Sequence, residues 1–295
     1  MPLYPDEVYR KALDRIFLQD ETRRNLAISI LTWLVLAERP LTTAELKEAI
    51  SVRVGDKTLR EGRLVTDNDL TSACAGIVVV NQGVIRLAHY TAEKYLKDNE
   101  STIFKDAQSS MAETCLVYLL FDEFAPISQD LVADRLKHRP FLLYAADHWG
   151  DHASLKTKGN VNRLAFEFLS NPSKVMNAFQ VMSNPQFRKE VNVTGLHVAA
   201  YFGMDKLAKK LLAKGFLINA ATQRGETALH WAAFNNQQRF MKVLIDNGAN
   251  LNLKDADGRT ALHTAVINED VLAVQLLLSS RYRAIDLDVE DSQRW

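Results

Sequence analysis

Three histidines, His197, His230 and His263, lie 33 residues apart, and each follows a threonine by three positions. The shared frame is Thr-x-Leu-His-x-Ala, which begins at Thr194, Thr227 and Thr260. A fixed period of this length is the pattern of a repeat protein, in which each short unit buries its apolar face on the next one. The frame therefore predicts a stack of about three units in the last third of the chain.

Each position of the frame has a structural role. A threonine and a histidine three residues apart can cap the start of a helix reciprocally, as in a capping box. Gly215 and Gly248, again 33 residues apart, fall where the second helix would end in a left-handed residue. The pattern is that of the ankyrin repeat, a β-turn followed by two antiparallel helices. We place the repeats at about 191–222, 223–255 and 256–289, with the start of a fourth at 290–295.

Departures from the frame fall in the first and third repeats. Asn192 stands where later repeats have a turn glycine, which asparagine tolerates because it visits the left-handed region, and Gly195 stands at the usual Pro or Ala position. In the third repeat, Arg281 replaces the glycine at the helix end, and 279–286 is about three residues too long. We expect this repeat to be the least regular. Its second helix, with Leu272 on the outer side, has no polar cap visible in sequence, so residues after about 256 should open most readily.

Composition limits the other classes of function. The 295 residues suggest about two domains, and 36 basic residues balance 36 acidic ones, so no net charge favours nucleic acid or membrane. Cys74 and Cys115 are typical of buried thiols in a reducing compartment. The longest apolar run, 26–37, is shorter than the roughly 20 residues that span a bilayer, and no signal peptide is apparent. We expect a cytoplasmic or nuclear protein.

The first half follows a different pattern, typical of a winged helix over 25–100. Thr42 and Glu45 form a capping-box pair, and Thr66 or Asp67 can cap a third helix. We predict helices over 25–37, 43–50 and 67–76, followed by a β-hairpin over 77–87. Winged helices often bind DNA, but the third helix carries Asp67 and Asp69 and neither Lys nor Arg. DNA binding is therefore the less favoured alternative.

Several segments of this half resemble one family. The segments 31–34, 39–42, 72–76 and 86–96 resemble the winged helix that follows the NACHT nucleotide-binding module in fungal NLR-like (STAND) proteins. That domain is often labelled as the winged helix of GPI inositol-deacylases, a label that implies no deacylase chemistry here.

The resemblance continues on both sides of this segment. The stretches 114–119 and 144–152 resemble the helical spacer, placed at 101–190, that separates this winged helix from C-terminal ankyrin repeats. Residues 3–19 resemble the end of a NACHT module, so we interpret 1–24 as the tail of a missing one. The resemblance implies a receptor segment that relays signals.

Catalytic and cofactor motifs are weak. The stretch 55–58 lacks the partner glycine and the preceding strand of a phosphate loop, so we expect no binding of ATP or GTP. His148 and His152, four residues apart, could suggest a metal site, but the family resemblance places them in a packed spacer helix. The three repeat histidines are too far apart to share a metal. We therefore predict no enzyme activity, cofactor or metal.

The sequence thus predicts a mostly α protein, with a winged helix bearing a small β-hairpin, an all-α spacer and an ankyrin α-solenoid. Its expected function is protein recognition and signal relay in a fungal NLR-like receptor of the self/non-self recognition type; a stand-alone ankyrin adaptor is the alternative. We expect a protein partner, an upstream NACHT module in the full-length parent, and neither nucleic acid, membrane nor small-molecule substrate.

The predicted protein-binding residues lie on the concave surface and turn tips of the repeats. The aromatic residues are the favoured anchors, although Phe202 and Phe234 could instead pack between helices. The predicted residues are Tyr201, Phe202, Gln223, Arg224, Glu226, Phe234, Asn235, Lys254, Asp257, Arg259, Ile267 and Asn268.

Overall fold

The computed structural model describes residues 5–124, 131–154, 159–182, 192–279 and 285–292. These residues form two compact units. The first contains the described residues up to 123 and those from 131 to 161, and the second contains Phe124 and the described residues from 162 onward. The elements confirm the predicted mostly helical fold with one small antiparallel sheet.

The first unit contains helices and one hairpin. The helices are α1 (Pro5–Phe17), α2 (Glu21–Leu36), α3 (Thr43–Ser51), α4 (Asp67–Ser72), α5 (Tyr90–Asp98), α6 (Glu100–Ile103), α7 (Ala107–Leu119), α8 (Val132–His138) and α9 (Phe141–Ser154). The strands are β1 (Val78–Asn81) and β2 (Val84–Leu87).

Local capping sets the ends of the winged-helix elements. The capping box of α3 is confirmed, since the Thr42 N–H donates to Glu45 Oε2 at 2.8 Å. Helix α2 begins before the predicted start at residue 25, because the side chain of Asp20 accepts a hydrogen bond from Arg23 N at 3.0 Å. The predicted end of α4 at residue 76 was wrong. That helix ends at Ser72, and Ala75 and Gly76 then adopt positive φ angles of 50° and 86°.

The hairpin closes against α3. Its strands pair from Val78 opposite Leu87 to Asn81 opposite Val84. The two turn residues, Gln82 and Gly83, have φ angles of 50° and 73°, which suits the primed turns of tight hairpins. The Gly83 carbonyl accepts a hydrogen bond from Thr43 N at 2.9 Å. The hairpin is therefore hydrogen-bonded to the first residue of α3.

Helices α7 and α9 complete the core of the first unit. The Trp33 ring of α2 meets Phe141 and Tyr144 of α9 edge-on, with centroids 5.4 and 5.6 Å apart. The buried Glu48 carboxylate accepts hydrogen bonds from Tyr118 Oη at 2.5 Å and Phe141 N at 3.1 Å. Burial raises the pKa of Glu48. Residues assigned by sequence to the spacer therefore share one core with the winged helix.

The second unit is a succession of helical hairpins. It contains α10 (Val161–Leu169, from its second residue), α11 (Pro172–Val181), α12 (Gly195–Tyr201), α13 (Asp205–Ala213), α14 (Ala228–Phe234), α15 (Gln238–Asp246), α16 (Ala261–Ile267) and α17 (Val271–Leu278). In the repeats, α12, α14 and α16 are the first helices and pack side by side in that order, and α13, α15 and α17 are the second helices.

The predicted backbone of the repeats is confirmed. Capping boxes open all three first helices, as at Thr227, whose N–H and hydroxyl lie 3.1 and 2.9 Å from His230 Nδ1. Gly215 and Gly248 end the second helices with φ angles of 95° and 96°, and Asn192 takes the left-handed turn position at 64°. Arg281 lies outside the described residues. The repeat frame therefore encodes its own helix starts and stops.

The outer side of the third repeat is only partly shielded from solvent. Residues 285–292 continue the turn edge, since Ser292 N donates to Asp257 O at 2.9 Å and the Asp291 side chain is buried. In contrast, Val271 and Leu272 of α17 are each 64% exposed. The turn edge of this repeat is covered, while part of its outer helix faces solvent.

Helix α17 is expected to exchange its amide hydrogens at least about tenfold faster than α15. Few buried apolar contacts lower the free energy of local opening, and α15 buries Phe240, Met241 and Leu244 whereas α17 buries Ala273 and Leu277. Hydrogen exchange read by mass spectrometry on peptides of both helices measures the difference. Equal protection of the two helices would contradict this expectation.

Candidate protein-binding groove of the repeats

One apolar position recurs at the end of each first helix of the repeats. Tyr201, Phe234 and Ile267 occupy it at the 33-residue period. Phe234 is 62% exposed and Ile267 59% exposed, whereas Tyr201 is half-buried with its ring edge-on to Trp231 at 6.4 Å. Large apolar side chains exposed in register often mark an interaction surface. These three residues form a ladder with one rung in each repeat.

The ladder lies in a groove with a volume of about 230 Å³. Nine of the twelve residues predicted from sequence line this groove, namely Tyr201, Arg224, Glu226, Phe234, Asn235, Asp257, Arg259, Ile267 and Asn268. The other three lie elsewhere. Phe202 packs edge-on against Tyr201, with centroids 4.8 Å apart, Gln223 is exposed on the turn, and Lys254 Nζ donates to Glu290 O at 3.2 Å.

Four further residues line the groove, His230, Trp231, Asp255 and Thr264. Trp231 is almost fully buried, and its indole N–H donates to Glu226 Oε2 at 3.0 Å. It could have been predicted, because it precedes Phe234 by three residues and so lies on the same helix face. Phe234, with most of its surface in solvent, does not pack between helices as the alternative interpretation held.

The charged residues of the groove are held by the turns. Asp255 Oδ1 accepts hydrogen bonds from Asp257 N at 2.9 Å and from Arg259 N at 2.8 Å. Arg224 forms a 3.3 Å ion pair with Asp257, and Arg259 lies 3.6 Å from Asp291. Both signs of charge therefore surround the apolar ladder. Such an arrangement favours orientation of a polypeptide partner rather than capture of one ionic group.

The repeat histidines join adjacent repeats. His197 Nε2 lies 3.1 Å from Glu226 O, and His230 Nε2 lies 3.1 Å from Arg259 O. Because the Thr N–H donates to Nδ1 in each case, the ring is neutral and donates from Nε2. Burial lowers the pKa of His197 to about 4 and also lowers that of His230. These imidazoles are structural, and their nitrogens are already engaged.

The histidines considered as metal ligands have other contacts. His152 is buried, with Nε2 2.9 Å from Tyr144 Oη and Nδ1 2.6 Å from Gln108 Oε1. Burial lowers the pKa of His152 to about 4. His148 instead lies 3.0 Å from Asp151. The His152 ring therefore forms part of a packed hydrogen-bonded chain.

The cysteine and histidine near the hairpin have structural surroundings. Burial raises the pKa of Cys74 to about 12, which keeps it a thiol. His89 is the N-cap of α5, with its Nδ1 accepting a hydrogen bond from Thr91 N at 3.2 Å. The cysteine is therefore a buried thiol, and the histidine caps a helix.

Helix α4 presents carboxylates where a DNA-binding winged helix would present cations. Asp67 is exposed and pairs with Lys47 Nζ at 2.9 Å, and Asp69 accepts a hydrogen bond from Thr66 N at 2.9 Å.

Within the parts of the chain that the structure describes, no helix combines the length and apolar content needed to cross a bilayer.

Comparison with known proteins identifies both modules. Residues 14–112 match the winged helix domain of GPI inositol-deacylase, and residues 196–291 match ankyrin repeats in three copies. The azaphilone pigments biosynthesis cluster protein L of Monascus ruber is 31% identical over 173 aligned residues, covering 52% of this chain and 35% of the relative. The chain thus spans about a third of the length of that relative. Ankyrin repeats are non-catalytic modules that mediate protein–protein interaction. This chain therefore carries a winged helix domain of the GPI inositol-deacylase type followed by three ankyrin repeats.

Proposed function

We propose that this chain is a non-catalytic recognition and signal-relay segment of a fungal NLR-like receptor, and that the groove of its repeats binds a protein ligand. The observation that supports it most directly is the ladder of Tyr201, Phe234 and Ile267, two rungs of which are exposed. Aromatic anchors in register carry much of the binding energy of an interface. The flanking Arg224–Asp257 pair would orient the ligand.

The receptor context rests on the order of the modules. A winged helix followed by helices and ankyrin repeats is the arrangement that follows the NACHT module in this family. In the proposed role, ligand binding at the repeats is passed to the winged helix and on to a nucleotide-binding module supplied by the full-length parent. The segment itself binds no nucleotide and acts in the cytoplasm or nucleus.

Replacing Phe234 with glutamate is expected to weaken ligand binding by more than tenfold. Loss of a central aromatic anchor costs about 2 kcal/mol or more, and a carboxylate in its place would face the apolar side of the ligand. The measurement is photocrosslinking in an extract of the source cells, with benzoylphenylalanine at position 267. The expected result is a discrete crosslinked protein that is lost from Phe234→Glu.

Leu217→Glu is the matched control, because Leu217 is also an exposed apolar residue of the repeats, at 76%, and does not line the groove. It should leave the crosslinked product unchanged. Equal loss from Phe234→Glu and Leu217→Glu would show that the groove is not the ligand site.

An ankyrin adaptor is the second candidate function. It is favoured by the similarity to a protein named for an azaphilone pigment biosynthesis cluster, since an adaptor could hold the enzymes of such a cluster together. The identity of the crosslinked protein separates the two candidates. A biosynthetic enzyme supports the adaptor, and a non-self or effector protein supports the receptor.

A further inference from the structure

A second groove lies in the first unit, away from the repeats. Its volume is about 810 Å³, within the range of about 300–1,000 Å³ typical of small-molecule sites. One wall is a single face of α2 and the opposite wall a single face of α7, and the end of α3 with residues 52–54 closes one side. None of the functions proposed above uses this groove.

The floor of the groove is apolar and its walls carry hydroxyl groups. Trp33, Ile50 and Met111 form part of the floor and are buried. Ser29 on α2 and Thr114 on α7 lie on the walls. A few polar groups over an apolar floor is the usual arrangement of a ligand pocket. The groove therefore suits a molecule with an apolar body and some oxygen atoms.

The cations of the groove outnumber its carboxylates. Arg24, Arg53 and Lys105 line it, against Glu113. Glu113 is already engaged, since its Oε1 accepts a hydrogen bond from Asn160 N at 2.6 Å. Arg53 Nη1 donates to Ile50 O at 2.6 Å and Val52 O at 2.8 Å, which holds the guanidinium against the end of α3.

Two of these cations lack an internal counterion. Among the described residues, neither the Arg24 guanidinium nor the Lys105 ammonium has a carboxylate partner. Arg24 is half-buried and Lys105 is exposed, and cations that line an apolar groove attract anions. Because arginine binds carboxylates through two parallel hydrogen bonds, a carboxylate is a favourable head group for this rim.

We propose that this groove binds a small amphipathic carboxylate, with its apolar body between α2 and α7 and its carboxylate among Arg24, Arg53 and Lys105. An acyl chain and an aromatic acid share this chemistry. The inference stands apart from protein recognition by the repeats. Binding here would bridge the winged helix to α7, so that a small molecule could stabilise the contact between them.

Isothermal titration of the 295-residue chain tests this, with decanoate and 2-naphthoate as the two carboxylates and decanamide as the neutral analogue. Decanoate or 2-naphthoate should bind, and decanamide should bind at least about tenfold more weakly than decanoate. Preference for decanoate or for 2-naphthoate identifies an acyl or an aromatic body. No binding of either, or decanamide binding as tightly as decanoate, would overturn the proposal.

Charge-reversal variants locate the site. The double variant Arg24→Glu with Lys105→Glu should weaken carboxylate binding at least about tenfold. Lys94→Glu, at an exposed cation of α5 outside the groove, should leave it unchanged. If the double reversal does not fold, Arg24→Gln with Lys105→Gln replaces it. Unchanged carboxylate affinity in a folded double variant would overturn the proposal. Crosslinking at position 267 should be unaffected, which separates this test from that of the repeats.

Discussion

Lowering the pH from 6.5 to 4.5 is expected to reduce the free energy of unfolding of the repeats by about 2 kcal/mol through His197 alone. In the unfolded chain a histidine takes up a proton near pH 6.5, whereas in the folded chain burial lowers the pKa of His197 to about 4. A depressed histidine pKa stabilises the fold above pH 6.5, and this contribution is lost as the pH falls towards 4. His230, whose pKa is also lowered, adds to the loss.

The geometry explains why protonation is unfavourable. A second proton would have to bind at Nδ1 of His197, which lies 3.2 Å from Thr194 N and 2.9 Å from Thr194 Oγ1. The backbone N–H already donates to Nδ1, so an added N–H would oppose it. Protonation would therefore break the capping box of α12 and place an uncompensated charge in a buried site.

Urea unfolding followed between pH 4.5 and 7.5, with hydrogen exchange assigning the change to the second unit, measures this effect. Each such histidine contributes a slope of up to about 1.4 kcal/mol per pH unit. Because glutamine does not titrate, His197→Gln should lower the slope of the unfolding free energy against pH by up to about 1.4 kcal/mol per pH unit. His138→Ala, at an exposed histidine of α8, is the control and should leave it unchanged. A slope unaltered by His197→Gln would contradict the assignment.

The first unit is less suitable for this test because two of its buried groups act in opposite directions. The pKa of His152 is lowered to about 4, so its contribution to the free energy of unfolding is lost as the pH falls below 6.5. The pKa of Glu48 is raised, so protonation of Glu48 favours the folded state as the pH falls through that raised value. The difference between wild type and His197→Gln is therefore the informative quantity, because contributions common to both proteins cancel.

Local patterns made the repeat scaffold predictable from sequence. A threonine and histidine three residues apart encode a cap without reference to distant residues, and Gly248 encodes a helix stop for the same reason. The predicted end of α4 is wrong because Ala75 takes a left-handed conformation, which an alanine in the sequence does not indicate. Trp231 lines the groove but is not among the predicted binding residues, although its spacing from Phe234 places both on one helix face.

The grooves differ in how far sequence can reveal them. In the repeats, residues of one groove recur every 33 positions, so nine of its members could be named in advance. The groove of the first unit is lined by residues far apart in sequence, such as Arg24 with Lys105 and Ser29 with Thr114. No periodicity relates these positions, because the apposition of α2 and α7 is a tertiary contact. Such a site appears only once the chain has been folded.

Gly195→Ala is expected to destabilise the second unit by about 3 kcal/mol or more. Gly195 opens α12, where alanine would ordinarily stabilise a helix by about 0.5–1 kcal/mol relative to glycine. A Cβ at this position would lie 1.9 Å from Leu169 O and 2.7 Å from Leu169 C. Overpacking typically costs about 1–3 kcal/mol, and here the obstacle is backbone, so the upper end of that range is the minimum expected.

The corresponding positions of the later repeats provide the control. Ala228 and Ala261 stand where Gly195 stands, and both are buried. Ala228→Gly should therefore cost no more than about 1 kcal/mol. Gly62→Ala, where a Cβ would meet no atom within 4 Å, should be nearly neutral. Urea midpoints, with hydrogen exchange of peptides covering α10 and α12, measure all three.

The sign of the Gly195→Ala effect decides between two explanations for this glycine. If it is only a tolerated departure from the repeat frame, alanine should increase stability, as helix propensity requires. If the first repeat needs a side-chain-free residue to pack against the end of α10, alanine should separate α12 from Leu169 and increase exchange in both helices. Because Tyr201 lies at the other end of α12 and its ring meets Trp231, the displacement should also disturb the groove and reduce crosslinking from position 267. A stabilised Gly195→Ala variant with full crosslinking would show that the close approach to Leu169 does not constrain this position.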